Sequence, residues 1–280
     1  MVLLYQKPLG DDIEHIIVLM FENRSFDNVF GSLYSEEEKT KYGIEFDGLN
    51  RDEWNAIKPT PPVPEDKRIY VWTDATGKNA GTTPYPDPGE SFEDMTEQIL
   101  DPEATGADPM SGFVANYVKQ KAGVPNGPRP NQRAIMHYFN DCHMPVSRGF
   151  ARRFAVSDQY FASGPTQTLP NRAFSMCGSP GTNDGKARLN NNDFKNLIEP
   201  GPFGSLNLKS IFELLDDEFP DSSHQHHSPN KALNWKVYYH DSSLSMISSY
   251  LDSLGDKGPN ITNFDTSDYG TGHLFIAKFT

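Results

Sequence analysis

Ile13, Ile16, Ile17, Val18, Leu19 and Met20 form one short apolar block, after which the chain turns abruptly polar at Glu22, Asn23, Arg24, Ser25 and Asp27. A β-branched-rich run of this length with no polar alternation predicts a strand buried on both faces of a sheet, and so an α/β fold. Ligands of open α/β sheets bind outside the carboxyl ends of the strands, where Glu22 and Asn23 leave this one. Ser25 or Asp27 is placed to cap a helix leading away. A carboxylate beside a carboxamide offers two hard oxygen donors, which suit a divalent cation and a phosphate together. The plainer reading makes the same pair a solvated turn.

Charge narrows the partners. With 25 basic against 38 acidic residues the net charge is −13, which argues against a broad nucleic-acid-binding face or a polybasic membrane surface. Any bound phosphate then needs local positive charge from a metal or a few arginines. A chain of 280 residues with 36% hydrophobic and 12% aromatic content suits one large globular domain over residues 1–280. No stretch reaches transmembrane length, and MVLLYQKPLGDD lacks the features of a signal peptide, so the sequence as written reads as cytoplasmic, or as secreted if a leader precedes it. Cys142 and Cys177 are too few for a disulfide framework.

Residues 45–90 are rich in Pro, Gly, Asp and Thr and predict irregular surface structure. SFEDMTEQIL and SGFVANYVKQ then carry apolar residues three or four apart and predict short helices. Over 144–162 the pattern predicts an amphipathic helix followed by a second buried strand, AVSDQYF. SGPTQTLPNRAFSMCG follows at 163–178, with a Gly-Pro turn, Thr166 and Thr168 ahead of Pro170, a good first helical residue, and Gly178 as a natural stop. Strand, tight loop and helix N-terminus together make a phosphate cradle, in which free backbone N–H groups and the helix dipole face an oxyanion. A hydroxyl held there attacks phosphorus once a metal depresses its pKa or orients it; otherwise it is a helix cap. Asn171 and Arg172 are placed to orient the loop or touch phosphate, and Arg172 equally to bond loop carbonyls.

The last hundred residues predict a helix at SLNLKSIFELLDDE, a strand at NWKVYYHD and a helix at SLSMISSYLDSL, with His240 and Asp241 ending the strand. His224, His226 and His227 cluster in SSHQHHSPN without a neighbouring Cys or Glu, which reads as a loop that binds metal adventitiously at most.

The wording H-I-I-V-L-M-x-E-N-R-S-F-D-x-x-F-G closely resembles the opening of the phosphoesterase family of bacterial, fungal and plant phospholipases C and related acid phosphatases. P-D-P-G-E-S-F-x-D-x-T-E-Q, M-x-G-F-V-x-N-Y, T-x-P-N-R and W-K-V-Y-Y extend the resemblance along the chain. It implies an alkaline-phosphatase-like three-layer α/β/α sandwich and a divalent-metal-dependent hydrolase of phosphoric esters. Thr168 would be the nucleophile, passing through a phosphothreonine, with Glu22, Asn23 and Thr168 as metal ligands. Asn23, Asn171, Arg172 and Glu90 would bind substrate; Glu90 stands where many relatives carry a histidine. The implied substrate is a phospholipid head group at a transiently touched membrane surface, or a small phosphomonoester for an acid phosphatase. The family's late acidic motif, an Asp-Glu followed by a glycine pair and Asp-His, has no match here, so the resemblance implies a sandwich truncated before its last strands and leaves a catalytically dead phosphate binder as the alternative.

Overall fold

A computed structural model of the chain describes residues 16–21, 23–76, 84–100, 108–120, 130–183, 186–187, 191, 211, 235–239, 261–263 and 275–279. The helices are α1 (Phe26–Val29), α2 (Glu36–Tyr42), α3 (Phe92–Ile99), α4 (Phe113–Tyr117), α5 (Pro145–Arg153) and α6 (Thr168–Cys177). The strands are β1 (Ile16–Met20), β2 (Trp54–Asn55), β3 (Ile69–Tyr70), β4 (Thr182–Asn183), β5 (Lys186–Ala187), β6 (Trp235–Tyr239), β7 (Ile261–Asn263) and β8 (Phe275–Phe279). They divide into one unit over Arg24–Gln167 and another that joins Met1–Asn23 to Thr168–Thr280.

In the Arg24–Gln167 unit, helix ends follow local side-chain chemistry. The Ser25 hydroxyl accepts from the Asn28 backbone N–H (3.2 Å) and starts α1, which settles the choice between Ser25 and Asp27 as cap. Ser35 with Glu38, and Ser91 with Asp94, close capping boxes on α2 and α3. α3 and α4 meet through a buried polar network. Gln98 Nε2 donates to Asn116 Oδ1 (2.9 Å) and to the Gly89 carbonyl (2.7 Å), while Asn116 Nδ2 donates to Asp94 Oδ1 (2.8 Å). A Cβ at Gly89 would collide with Gln120, Asp94 and Asn116, so this network requires a glycine there. Leu33, Val114, Tyr117, Met136, Tyr138 and Phe139 supply buried apolar surface. The 45–90 stretch is largely irregular, as expected, although β2 and β3 pair antiparallel within it and Asn55, Ala56 and Val63 are buried rather than at the surface.

The amphipathic helix expected after residue 144 is α5, begun by Pro145 at its first turn. The strand expected at AVSDQYF is absent. Residues 155–161 are irregular and Tyr160 and Phe161 are exposed, because Asp158 and Gln159 bond the loop at Asp47 instead of a ladder: Asp158 Oδ2 accepts from the Asp47 N–H (2.6 Å) and Gln159 Nε2 donates to Asp47 Oδ2 (3.4 Å). The apolar pairs Ala155–Val156 and Tyr160–Phe161 flank that polar insert and never alternate with period 2.

In the other unit, β1, β8, β6 and β7 form one mixed sheet in that order. β1 and β6 both pair antiparallel with β8, while β6 and β7 are parallel. β1 and the WKVYY strand therefore form where the sequence places them. Burial of β1 on both faces does not follow: among the described strands it lies at the edge of its sheet, and Ile17 is 64% exposed. Apolar patterning chose the strand state but carried no information about what would cover it. α6 begins two residues before Pro170, at Thr168, and ends at Gly178, whose φ of +71° is the left-handed conformation that stops helices. Leu169, Pro170, Ala173 and Met176 form its buried stripe. The chain is thus a mixed helix-and-strand protein. Of the helix expected at SLNLKSIFELLDDE only Ile211 is described, and it is helical. The helix expected at SLSMISSYLDSL lies outside the described residues, as do His224, His226, His227, His240 and Asp241.

Candidate functional site

Thr168 opens α6 as its first residue and is half-buried. Asn171 and Arg172 lie three and four residues on, so all three share one face of the helix's first turn. Arg172 is buried to 5% exposure, which places its guanidinium stem inside rather than in solvent. Asn23 follows β1 with φ +68°, a left-handed backbone that Asn tolerates and that recurs at functional turns. Glu22 lies outside the described residues. Glu90 is exposed and accepts from Gln167 Nε2 at 3.0 Å within the Arg24–Gln167 unit. The donor set expected for an ion is a carboxylate, a carboxamide and a hydroxyl, all hard oxygens, and this chemistry fits a divalent cation.

A second group of ligand-type side chains, which the sequence gave no reason to join, assembles in the Arg24–Gln167 unit from Asp74, His137 and His143. Backbone pairing brings them together: the Trp72 N–H donates to the Met136 carbonyl (3.0 Å) and the Tyr138 N–H to the Trp72 carbonyl (2.9 Å). Asn28 locks the same segment from α1, its Nδ2 donating to the His137 carbonyl and its carbonyl accepting from the Phe139 N–H, both at 2.7 Å. Asp74 Oδ2 stands 3.2 Å from His143 Nε2 and 3.7 Å from His137 Nε2, and the three ligand atoms lie within 4.8 Å of one another. Asp74 Oδ1 is held separately by the Thr76 N–H and hydroxyl, each at 3.0 Å. The His143 side chain is fully buried and stacks on Phe139, whose ring also faces the Arg24 guanidinium. Burial pushes the His137 imidazole below its ordinary pKa, and neighbouring His143 and Arg24 add to the shift while Asp74 opposes it, so His137 is biased toward its neutral, metal-ligating form. The one signal in the sequence is the pair of histidines six residues apart at 137 and 143. Asp74 sits in a stretch that reads as loop.

The chain belongs to the phosphoesterase family, whose model matches residues 13–272. Among characterised proteins it is 33% identical to non-specific phospholipase C1 of Arabidopsis thaliana over 215 residues, 76% of this chain and 34% of that protein. It is 29% identical to non-specific phospholipase C4 of the same plant, across 81% of this chain and 40% of the relative. Phospholipase C A of Mycobacterium tuberculosis is 25% identical across 81% and 38% respectively. The chain therefore spans between a third and two fifths of the length of these relatives.

Proposed function

We propose that residues 1–280 form a single phosphoesterase domain of three-layer α/β/α type that hydrolyses phosphoric esters with a divalent metal, in the manner of a phospholipase C acting on phospholipid head groups. The observation that carries this reading is the family match over residues 13–272, with Thr168 on the first turn of α6 beside Asn171 and Arg172. Glu22, Asn23 and Thr168 would hold the ion, which when bound supplies positive charge that lowers the hydroxyl's pKa and neutralises the phosphate.

Thr168 Oγ attacks phosphorus in line and forms an Oγ–P bond as the bond to the leaving alcohol breaks. The hydroxyl proton leaves to solvent and the departing oxygen takes up a proton. Water then attacks the phosphothreonine, frees the phosphate product and restores the hydroxyl. Asn23, Asn171 and Arg172 would position the phosphate ester, with the guanidinium fork matched to two phosphate oxygens; Glu90 is a substrate-binding candidate on the family resemblance alone. No described helix is long and apolar enough to cross a membrane.

The test is turnover of p-nitrophenyl phosphorylcholine and p-nitrophenyl phosphate by the 280-residue chain, with and without divalent metal. Metal-dependent turnover that falls about 10³-fold or more in Thr168→Ala, and survives in part in Thr168→Ser, is the expected result. The preferred substrate separates phospholipase C from acid phosphatase. Turnover unchanged in Thr168→Ala overturns the mechanism, and a folded chain that binds phosphate without turnover is a non-catalytic binder.

A further inference from the structure

We propose that Asp74, His137 and His143 form a zinc-class metal site, separate in its ligands from Glu22, Asn23 and Thr168, with Asn140 fixing the orientation of His143. Three features support it.

The first is spacing. Ligand atoms about 2.0–2.2 Å from one tetrahedral zinc lie about 3.3–3.6 Å apart. The two distances from Asp74 Oδ2, 3.2 and 3.7 Å, bracket that value. Two imidazoles and one carboxylate are a borderline donor set that selects zinc-like transition ions over magnesium or calcium, and three protein ligands leave a fourth position for water or an anionic oxygen.

The second is an orphaned atom. His137 Nε2 is buried with no hydrogen-bond partner. Its ring is enclosed by Trp72, Phe139 and His143 in edge-on contacts. A buried ring nitrogen left unsatisfied is destabilising, and a metal–nitrogen bond removes that penalty.

The third is the tautomer of His143. Asn140 Nδ2 donates to the Asp74 carbonyl (2.8 Å), and Asn140 Oδ1 accepts from the Cys142 N–H (2.9 Å), so the amide's two ends are assigned independently. Oδ1 then faces His143 Nδ1 at 2.7 Å, a contact that is favourable only if Nδ1 carries the proton. The Asn140 backbone N–H also approaches Nδ1, at 3.1 Å, and would favour the other tautomer. The shorter contact decides, since two lone pairs facing each other at 2.7 Å repel more strongly than two N–H groups facing each other at 3.1 Å. With the proton on Nδ1, the Nε2 lone pair points at the Asp74 carboxylate 3.2 Å away, an arrangement that a cation between them stabilises. A metal-ligating histidine whose other ring nitrogen donates to a fixed oxygen is the usual support for such a site.

Zinc titration of the untagged, metal-free chain by calorimetry, and cobalt titration followed by visible absorption, test the proposal without reference to turnover. One equivalent should bind at this site, in addition to any held by Glu22, Asn23 and Thr168, and should be weakened at least about 100-fold in His137→Ala and His143→Ala and about 10–100-fold in Asn140→Ala. The same affinity should persist in the Glu22→Ala, Thr168→Ala double variant and in the chain with His224, His226 and His227 all replaced by Ala. Unchanged affinity in His137→Ala and His143→Ala overturns the site, as does loss of binding with the three-histidine replacement. Nitrogen NMR of the wild-type imidazoles gives a readout free of folding effects: one equivalent of zinc should shift Nε2 of His137 and of His143, with Nδ1 of His143 protonated. Unshifted rings refute the proposal.

Discussion

Replacing Arg148 by alanine should destabilise the Arg24–Gln167 unit by about 3 kcal/mol. Arg148 rises from α5 into the interior at 2% exposure, and its guanidinium is the tie between three segments. Nη1 donates to the Val29 carbonyl (2.9 Å) and, at 3.4 Å, to that of Phe139; Nη2 donates to the Ser32 carbonyl (2.9 Å) and Nε to Asp141 Oδ1 (2.6 Å). The Phe139 carbonyl keeps the Ser32 hydroxyl at 2.9 Å, so its loss is minor. Asp141 is 62% exposed and remains solvated, so that ion pair contributes no more than about 1 kcal/mol. The Val29 and Ser32 carbonyls lose this donor, at about 1–3 kcal/mol each, and water entering the vacated space offsets part of the sum. Urea unfolding followed through Trp54 and Trp72 emission should show a midpoint lower by about 1 M or more with little change in slope. Arg148→Lys, which keeps the charge but not the fork, should fall between the two. A loss below about 1 kcal/mol in Arg148→Ala would refute the claim that one guanidinium holds these carbonyls.

Acid stability should depend on Asp94. Burial raises its pKa, but hydrogen bonds from Asn116, Ser91 and Gln120 outweigh that and leave the carboxyl below its ordinary value. A carboxyl depressed in the folded state contributes stability that is present above its unfolded pKa of about 3.9 and lost as pH falls through that range toward the folded value. Asp94→Asn should therefore lower stability at pH 7 and flatten the acid limb, and an unchanged limb would exclude the network as its cause. In α6, Leu169 is fully buried, so Leu169→Ala should cost about 2–5 kcal/mol, read as faster hydrogen exchange of α6 amides. Exchange equal to wild type would mean that α6 is held by something other than its apolar stripe.

Features encoded by neighbours in sequence were legible: a helix cap at Ser25 or Asp27, the helices α3, α4 and α5, the strand states of β1 and β6, and Gly178 after α6. Each is decided within about one turn of helix or one strand of chain, where side chain and backbone compete directly. The failures share one cause. Whether β1 is covered, and whether 155–161 pairs as a strand, depends on partners distant in sequence, and the Asp47 loop that captures Asp158 leaves no periodic trace. The candidate catalytic residues could be proposed from sequence because Glu22-Asn23 and Thr168-Leu169-Pro170-Asn171-Arg172 are contiguous words. Asp74 and His137 were not, because a single parallel bridge at Trp72 brings them together and no spacing rule announces it.

The β1–β8 register, Ile16 opposite Phe279 through Met20 opposite Phe275, also bears on how the chain is made. A ribosome adding about 5–20 residues per second needs on the order of 10–50 s between releasing the first of these strands and the second. Throughout that interval an apolar strand has emerged while its ladder partner is still unsynthesised, and unpaired strands of this kind recruit other chains. Faster synthesis, which shortens that interval, should raise the soluble yield.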